Sequence, residues 1–290
     1  MSYIERFRVK PGSRLNLKEV DPAFKDRHET HKDAAEEIEH YRKRLLELQE
    51  MLYVERRRSL LICLQALDTG GKDGTINHFL SAMNPQGCRV VGFRQPSEQE
   101  ASHDFLWRVH RAAPARGEVV IFNRSHYEDV LIVRVHNLVP RAVWSKRYDR
   151  INAFEQGLIE NDTHILKFYL HISSEEQLAR FKARLDDPTK QWKISESDYE
   201  ERKYWNDYRA AYEEALARCS TEGAPWFVIP ADHKWFRNLA VARIVVEHLE
   251  GLGLSYPKPR VDLARIRREY HHEAREGASP AERSGDPPRG

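Results

Sequence analysis

The stretch Leu60 to Leu80, LLICLQALDTGGKDGTINHFL, decides how the rest of the chain is read. Its first residues, Leu60 to Leu64, form an apolar run without alternation, the pattern of a strand buried on both faces of a parallel sheet. Gly70, Gly71 and Gly74 break that run, and from Thr75 the pattern becomes amphipathic and helical. Strand, glycine turn and helix in that order make an anion-binding device. The turn points its N–H groups inward, and the helix N-terminus adds partial positive charge. Lys72 stands where a phosphate-binding loop carries its lysine. Against G-x-x-x-x-G-K-[ST], the chain has Ala66 for the first glycine, keeps Gly71 and Lys72, and has Asp73 for the hydroxyl. That hydroxyl ordinarily holds Mg²⁺, so a carboxylate must take over, and Asp68 within the turn is the candidate. The phosphate-binding set of this turn is Gly70, Gly71, Lys72, Asp73, Gly74 and Thr75. A glycine turn that serves no phosphate is the competing reading, and the flanking strand and helix count against it.

Outward from this stretch, strands and helices alternate. Cys88 to Phe93, Glu118 to Phe122, His164 to His171 and Trp226 to Ile229 read as further strands. Helices are expected over His31 to Arg58, His103 to Ala113, Arg141 to Glu160 and Phe236 to Leu249. The first of these carries an apolar stripe of Ala35, Ile38, Tyr41, Leu45, Leu48 and Leu52, which covers the sheet or pairs with a second subunit. Short strands separated by helices predict an α/β, doubly wound, mostly parallel sheet with ligands beyond the strands' carboxyl ends. Residues 1–25 read as an N-terminal arm, 26–256 as one α/β domain with the helical insertion and 257–290 as a polar tail. In the tail, Leu263 to Arg275 is expected to be helical and the last fifteen or so residues disordered.

The third strand ends in FNRSHYEDV, Phe122 to Val130. A metal-binding aspartate is expected at the strand end, and Asn123 occupies that place. Arg124 suits bidentate contact with phosphate. Glu128 and Asp129 follow one turn later; they can act near the metal or the incoming nucleotide, or complement a helix dipole. His126 is a candidate phosphate contact, although direct phosphoryl transfer needs no phosphohistidine. Residues 173–219 break the alternation with a helical hairpin that contains Arg180, Lys182, Arg184, Lys190 and Lys193. Set over a phosphate-binding turn, such a hairpin reads as a basic lid rather than a solvated helix face.

Composition narrows the partners. The 290 residues carry 47 Lys and Arg against 45 Asp and Glu, a net charge of +2. Such a balance gives no global case for DNA or RNA, so any polyanion site must be a local patch. No apolar run reaches membrane-spanning length and the N-terminus lacks a signal-peptide core, so a cytoplasmic location is expected. Cys63, Cys88 and Cys219 lack metal-ligand spacing, and the first two sit in strand-like runs that predict buried thiols.

The blocks ALDTGGKDGT, MNPQG, HDFLWR, FNRSHYEDV and DDPTKQWK, in order between about Phe24 and Gly251, resemble the signatures of the family-2 polyphosphate kinases. The resemblance implies a P-loop kinase-like, three-layer core with helices on both faces of the sheet and a helical lid. It implies Mg²⁺-dependent, reversible phosphoryl transfer between inorganic polyphosphate and a nucleotide, with Mn²⁺ as an alternative ion. By position, Asp68 and Lys72 belong to the Walker-A-like loop and Asn123 and Arg124 to the Walker-B-like one. Arg180, Arg184, Lys190 and Lys193 match the lid's basic positions. Asn123 departs from the aspartate that the family often carries. The NRSHYED wording, with His126 and Glu128, resembles the subgroup that accepts both AMP and ADP. The expected catalytic set is Asp68, Lys72, Asn123, Arg124 and Glu128, with Asp68 and Asp129 toward the metal. The long first helix favours a homodimer or homotetramer. An ATP-dependent nucleoside monophosphate kinase and a non-catalytic nucleotide or polyphosphate sensor are the alternative functions.

Overall fold

A computed structural model describes residues 1–277. The chain forms two compact units, Met1–Ser255 and a second that begins at Tyr256. The second contains the helix Leu263–Gly277, where the tail was expected to be helical. The disorder expected of the last fifteen or so residues lies outside the described residues, apart from positions 276 and 277.

The first unit is built on five parallel strands: β1 Ser59–Gln65, β2 Cys88–Gly92, β3 Val119–Asn123, β4 Thr163–His171 and β5 Trp226–Pro230. Their order is β2-β3-β1-β4-β5, which puts the Leu60 run at the centre. Every residue of β1 is buried, because helices cover both faces and β3 and β4 flank both edges. A strand with no solvent face has no polar side to alternate with, hence the unbroken apolar run. The chain leaves β1 toward the β2 edge and β4 toward the β5 edge. A crevice therefore opens above their carboxyl ends, where the glycine turn emerges.

The helix His31–Glu55 starts with a capping box, in which Thr30 and Asp33 each satisfy the other's backbone N–H. Its buried face holds Ala34, Leu45, Leu48 and Leu52 and packs against the helix Lys234–Gly251. The expected stripe is therefore corrected at its first position: Ala34 is buried and Ala35 exposed. Arg141 to Glu160, expected as one helix, is two pieces, Arg141–Trp144 and Arg147–Ile159. The hairpin's second arm is also divided, into Glu196–Glu200, a 3₁₀ turn Glu201–Tyr204 and Trp205–Cys219. Arg202 in that turn reaches back to Gln177 Oε1 at 2.6 Å on the first arm, Ser174–Leu185. Cys63 and Cys219 are buried, whereas Cys88 is only half-buried. Among the described residues, no helix is long and apolar enough to cross a membrane.

Candidate phosphate-transfer site

The glycine turn, the end of β3 and the hairpin meet around one cleft of about 690 Å³. Asp68, Gly71, Lys72, Asp73, Gly74, Asn123 and Arg124 line it from the sheet side, and Arg180, Arg184, Lys190 and Lys193 from the hairpin. Residues up to 125 positions apart in sequence are brought together because β1 and β3 are adjacent and the hairpin follows β4.

The turn is held under strain. Thr69 has φ 61°, a left-handed conformation that β-branched residues avoid, and Arg124 shares that φ. Residues forced into such wells persist only where the surroundings over-determine them. Here the surroundings are visible. Arg180 Nη1 donates to Thr69 O at 2.9 Å, and Gln177 Nε2 donates to Asp68 O at 2.9 Å. Arg124 N donates to Leu64 O at 3.1 Å, which ties the two loops together across β1 and β3.

The charges interlock. Arg124 Nη2 donates to Asp68 Oδ1 at 3.2 Å. Burial disfavours the Arg124 cation, but the Glu128 and Asp68 carboxylates overcome it and raise its pKa. Lys72 Nζ donates to Ala66 O at 2.9 Å. Burial lowers its pKa, opposed by the Asp68 carboxylate, and an arriving anion would favour its charged form further. Asn123 Nδ2 donates to Asp73 Oδ1 at 3.0 Å. Two carboxylates and an amide oxygen in one cleft fit a Mg²⁺ ion, which takes one or two protein carboxylates and fills its shell with phosphate oxygens and water.

Several expected residues lie elsewhere or act differently. Asp129 faces Arg147, Nη1 to Oδ1 2.8 Å, with Arg108 at 4.0 Å, and does not line the cleft. Burial raises its pKa in spite of those two cations. Glu128 accepts from Gln65 Nε2 at 3.0 Å and lies beyond Arg124, on the side of Tyr208 and Tyr212. His126 is buried, with Nε2 3.1 Å from Glu155 Oε1, so it contacts no phosphate in the cleft. Its role is anchorage. Glu155 also accepts from Tyr127 OH at 2.9 Å and from Lys167 Nζ at 2.5 Å, all inside the core. Arg180 is buried and commits its donors to Glu176 and to the carbonyls of Thr69, Ala231 and Asp232. It braces the turn more than it presents a free charge.

Thr75 is buried, and its hydroxyl donates to Gly71 O at 3.2 Å. Gly70 is packed closely: a Cβ there would meet Ala66 Cβ at 2.6 Å. Lys190 pairs with Asp187, and Lys193 lies 5.0 Å from the Trp192 ring centroid.

The reading of the sequence missed Lys234 and Arg237, both in the cleft wall. They lie on the last helix of the unit, 162 or more positions after Lys72, and nothing local marks them as phosphate ligands. The trace of Arg237 is the glycines themselves, since a Cβ at Gly71 would lie 1.8 Å from Arg237 Nη1.

Comparison with known proteins converges on one family. The family described as Polyphosphate kinase 2 matches residues 28–254. An AMP/ADP-polyphosphate phosphotransferase of Meiothermus ruber is 50% identical over 264 residues, covering 91% of this chain and 99% of that protein. An ADP-polyphosphate phosphotransferase of Rhodopseudomonas palustris is 44% identical over 270 residues, covering 88% and 92%. The crystal structure of polyphosphate kinase 2 from Arthrobacter aurescens TC1 matches with a TM-score of 0.90 and 44% identity, covering 94% of this chain and 97% of that one.

Proposed function

The chain belongs to the polyphosphate kinase 2 family, and from that premise we propose that it transfers a phosphoryl group from inorganic polyphosphate to AMP and ADP. The observation that carries this reading is the cleft itself, where the glycine turn, Arg124 and the hairpin's basic residues face one volume of about 690 Å³. A linear polyanion needs a local basic track rather than a basic protein, and the near-neutral net charge is compatible with one.

Phosphoryl transfer asks the protein mainly for in-line positioning and for neutralisation of charge on the transferring group. Lys72 and Arg124 bind the transferring phosphoryl, and the inward N–H groups of the turn hold the phosphate beside it. Asp68 orients the Arg124 guanidinium through their 3.2 Å contact. Asp68 and Asp73 would hold Mg²⁺, which when bound neutralises phosphate charge. Glu128 lies toward the acceptor nucleotide with Tyr208 and Tyr212. The hairpin, joined to the turn through Arg180 and Gln177, acts as the lid. Transfer is reversible, so ATP and ADP also serve as donors to the chain. The enzyme works in the cytoplasm as a homo-oligomer.

The test is a donor–acceptor matrix: long-chain polyphosphate against AMP, ADP, GMP and GDP with Mg²⁺, scored for nucleoside di- and triphosphate. Formation of ADP from AMP and polyphosphate without added ATP supports the reading. Transfer only from ATP would assign a nucleoside monophosphate kinase, and no transfer at all a sensor.

A further inference from the structure

Arg237 is a cation without a counter-charge. It is 2% exposed, yet it forms part of the cleft wall. Its Nε and Nη2 share a single acceptor, Asn238 Oδ1, at 3.2 and 2.8 Å. Among the described residues, it forms no ion pair within 4.0 Å. Buried guanidinium groups are ordinarily paired, because desolvating a lone charge is costly. Nearby Arg180 follows the rule, with Glu176 at 2.7 Å and backbone carbonyls around it. Burial first, then the Arg180 cation, push its pKa down to about 9.

The glycine turn shows the same arrangement from the other side. A Cβ at Gly71 would lie 1.8 Å from Arg237 Nη1, and one at Gly74 2.9 Å from Nη2. Gly71 also has φ +106°, which favours glycine by conformation, and the guanidinium occupies the space a Cβ would fill. The guanidinium therefore sits against the N-terminus of the helix Lys72–Leu80. A helix N-terminus is itself partially positive, so this contact between like charges is unfavourable without an anion at the same place.

We infer that Arg237 binds the phosphate chain of the donor from the side of the Lys234–Gly251 helix, and that its charge is balanced only when the chain is bound. The inference rests on the polyphosphate reading. It assigns the donor rather than the acceptor because Arg237 shares the cleft with Lys234, Lys190 and Lys193, and Lys234 feels the charges of both Arg237 and Lys190, a grouping that suits a polyanion. The side beyond Arg124 carries the Glu128 carboxylate and the half-buried Tyr208, which do not suit a polyanion.

Thermal melting of wild type, Arg237→Met and Arg237→Lys tests this, each alone, with sodium tripolyphosphate and with AMP. Without ligand, R237M melts at or above wild type, since a buried unpaired cation has been removed. Its stabilisation by tripolyphosphate falls to less than about half, its stabilisation by AMP is unchanged, and its KM for polyphosphate rises ~10-fold. R237K, which keeps the charge on a narrower head, gives an intermediate tripolyphosphate shift and serves alone if R237M does not fold. A full tripolyphosphate shift in either variant overturns the assignment of Arg237 alone. A wild-type protein that tripolyphosphate does not stabilise overturns the polyphosphate reading and this assignment with it.

Discussion

Asn123 donates its amide to the Asp73 carboxylate at 3.0 Å, and these residues are the two functional positions at which the phosphate-loop signature is rewritten. In P-loop enzymes the loop hydroxyl and the strand-end aspartate share the metal. Here the carboxylate has moved to the loop and the donor to the strand end. One negative charge and one hydrogen bond between the positions are both kept. The two departures are therefore a single compensated exchange.

Asn123→Asp is expected to break that exchange, because two carboxylates would then face each other across 3.0 Å. Loss of a hydrogen bond to a charged group corresponds to a fall in kcat/KM of roughly 10- to 100-fold. The double variant N123D/D73T restores the usual wording of the loop and should recover a large part of the loss. A double-mutant cycle on kcat/KM checks this; additive effects would show that the residues act independently.

Asp68 and Asp129 should separate cleanly. Asp68→Ala removes a cleft carboxylate and the partner of Arg124, and is expected to lower kcat by ~100-fold or more with a raised Mg²⁺ requirement. Lys72→Ala should lose a comparable factor. Asp129→Asn leaves the cleft untouched but removes the carboxylate charge beside Arg147 and Arg108, of which Arg108 keeps Glu100 at 3.8 Å. Its melting temperature should fall while the Mg²⁺ dependence of the remaining activity stays as in wild type. Mg²⁺ titrations of the three variants decide this.

The buried Glu155 is expected to be a positioning residue for Arg124. It anchors His126 and Tyr127, which directly follow the strained loop. Glu155→Leu leaves Lys167 unpaired in the core and should destabilise the fold by about 3–5 kcal/mol. The pair replacement E155L/K167M should recover most of that stability, yet keep a reduced kcat because the loop has lost its anchor. Melting and turnover measured on the same samples distinguish the two effects.

His248 offers a test of acid stability. Burial, with the nearby His164 adding to it, depresses its pKa to about 4, and among the described residues its Nε2 has no hydrogen-bond partner. The folded state thus binds fewer protons than the unfolded chain, whose histidines titrate near 6.5. Stability is fully present above pH ~6.5 and falls as the pH drops toward ~4. His248→Phe should shift the acid-unfolding midpoint to lower pH and leave the melting temperature at pH 8 nearly unchanged. Melting curves from pH 4 to 8 measure it.

Much of this protein is settled locally. The five strands, the glycine turn and the basic hairpin are legible because burial on two faces forces apolar runs and because phosphate-binding turns need glycine and lysine at fixed spacing. Asp68, Lys72, Asn123 and Arg124 were found for the same reason: they sit within or directly beside those turns. Only the tertiary structure decided which charges are free. Asp129 is taken up by Arg147, Arg180 by backbone carbonyls and His126 by Glu155, and each pairing joins residues far apart in the chain. Arg237 was invisible for the converse reason. Its distinguishing property is the lack of a counter-charge among the described residues, which exists only once the helices have packed and the cleft has formed around it.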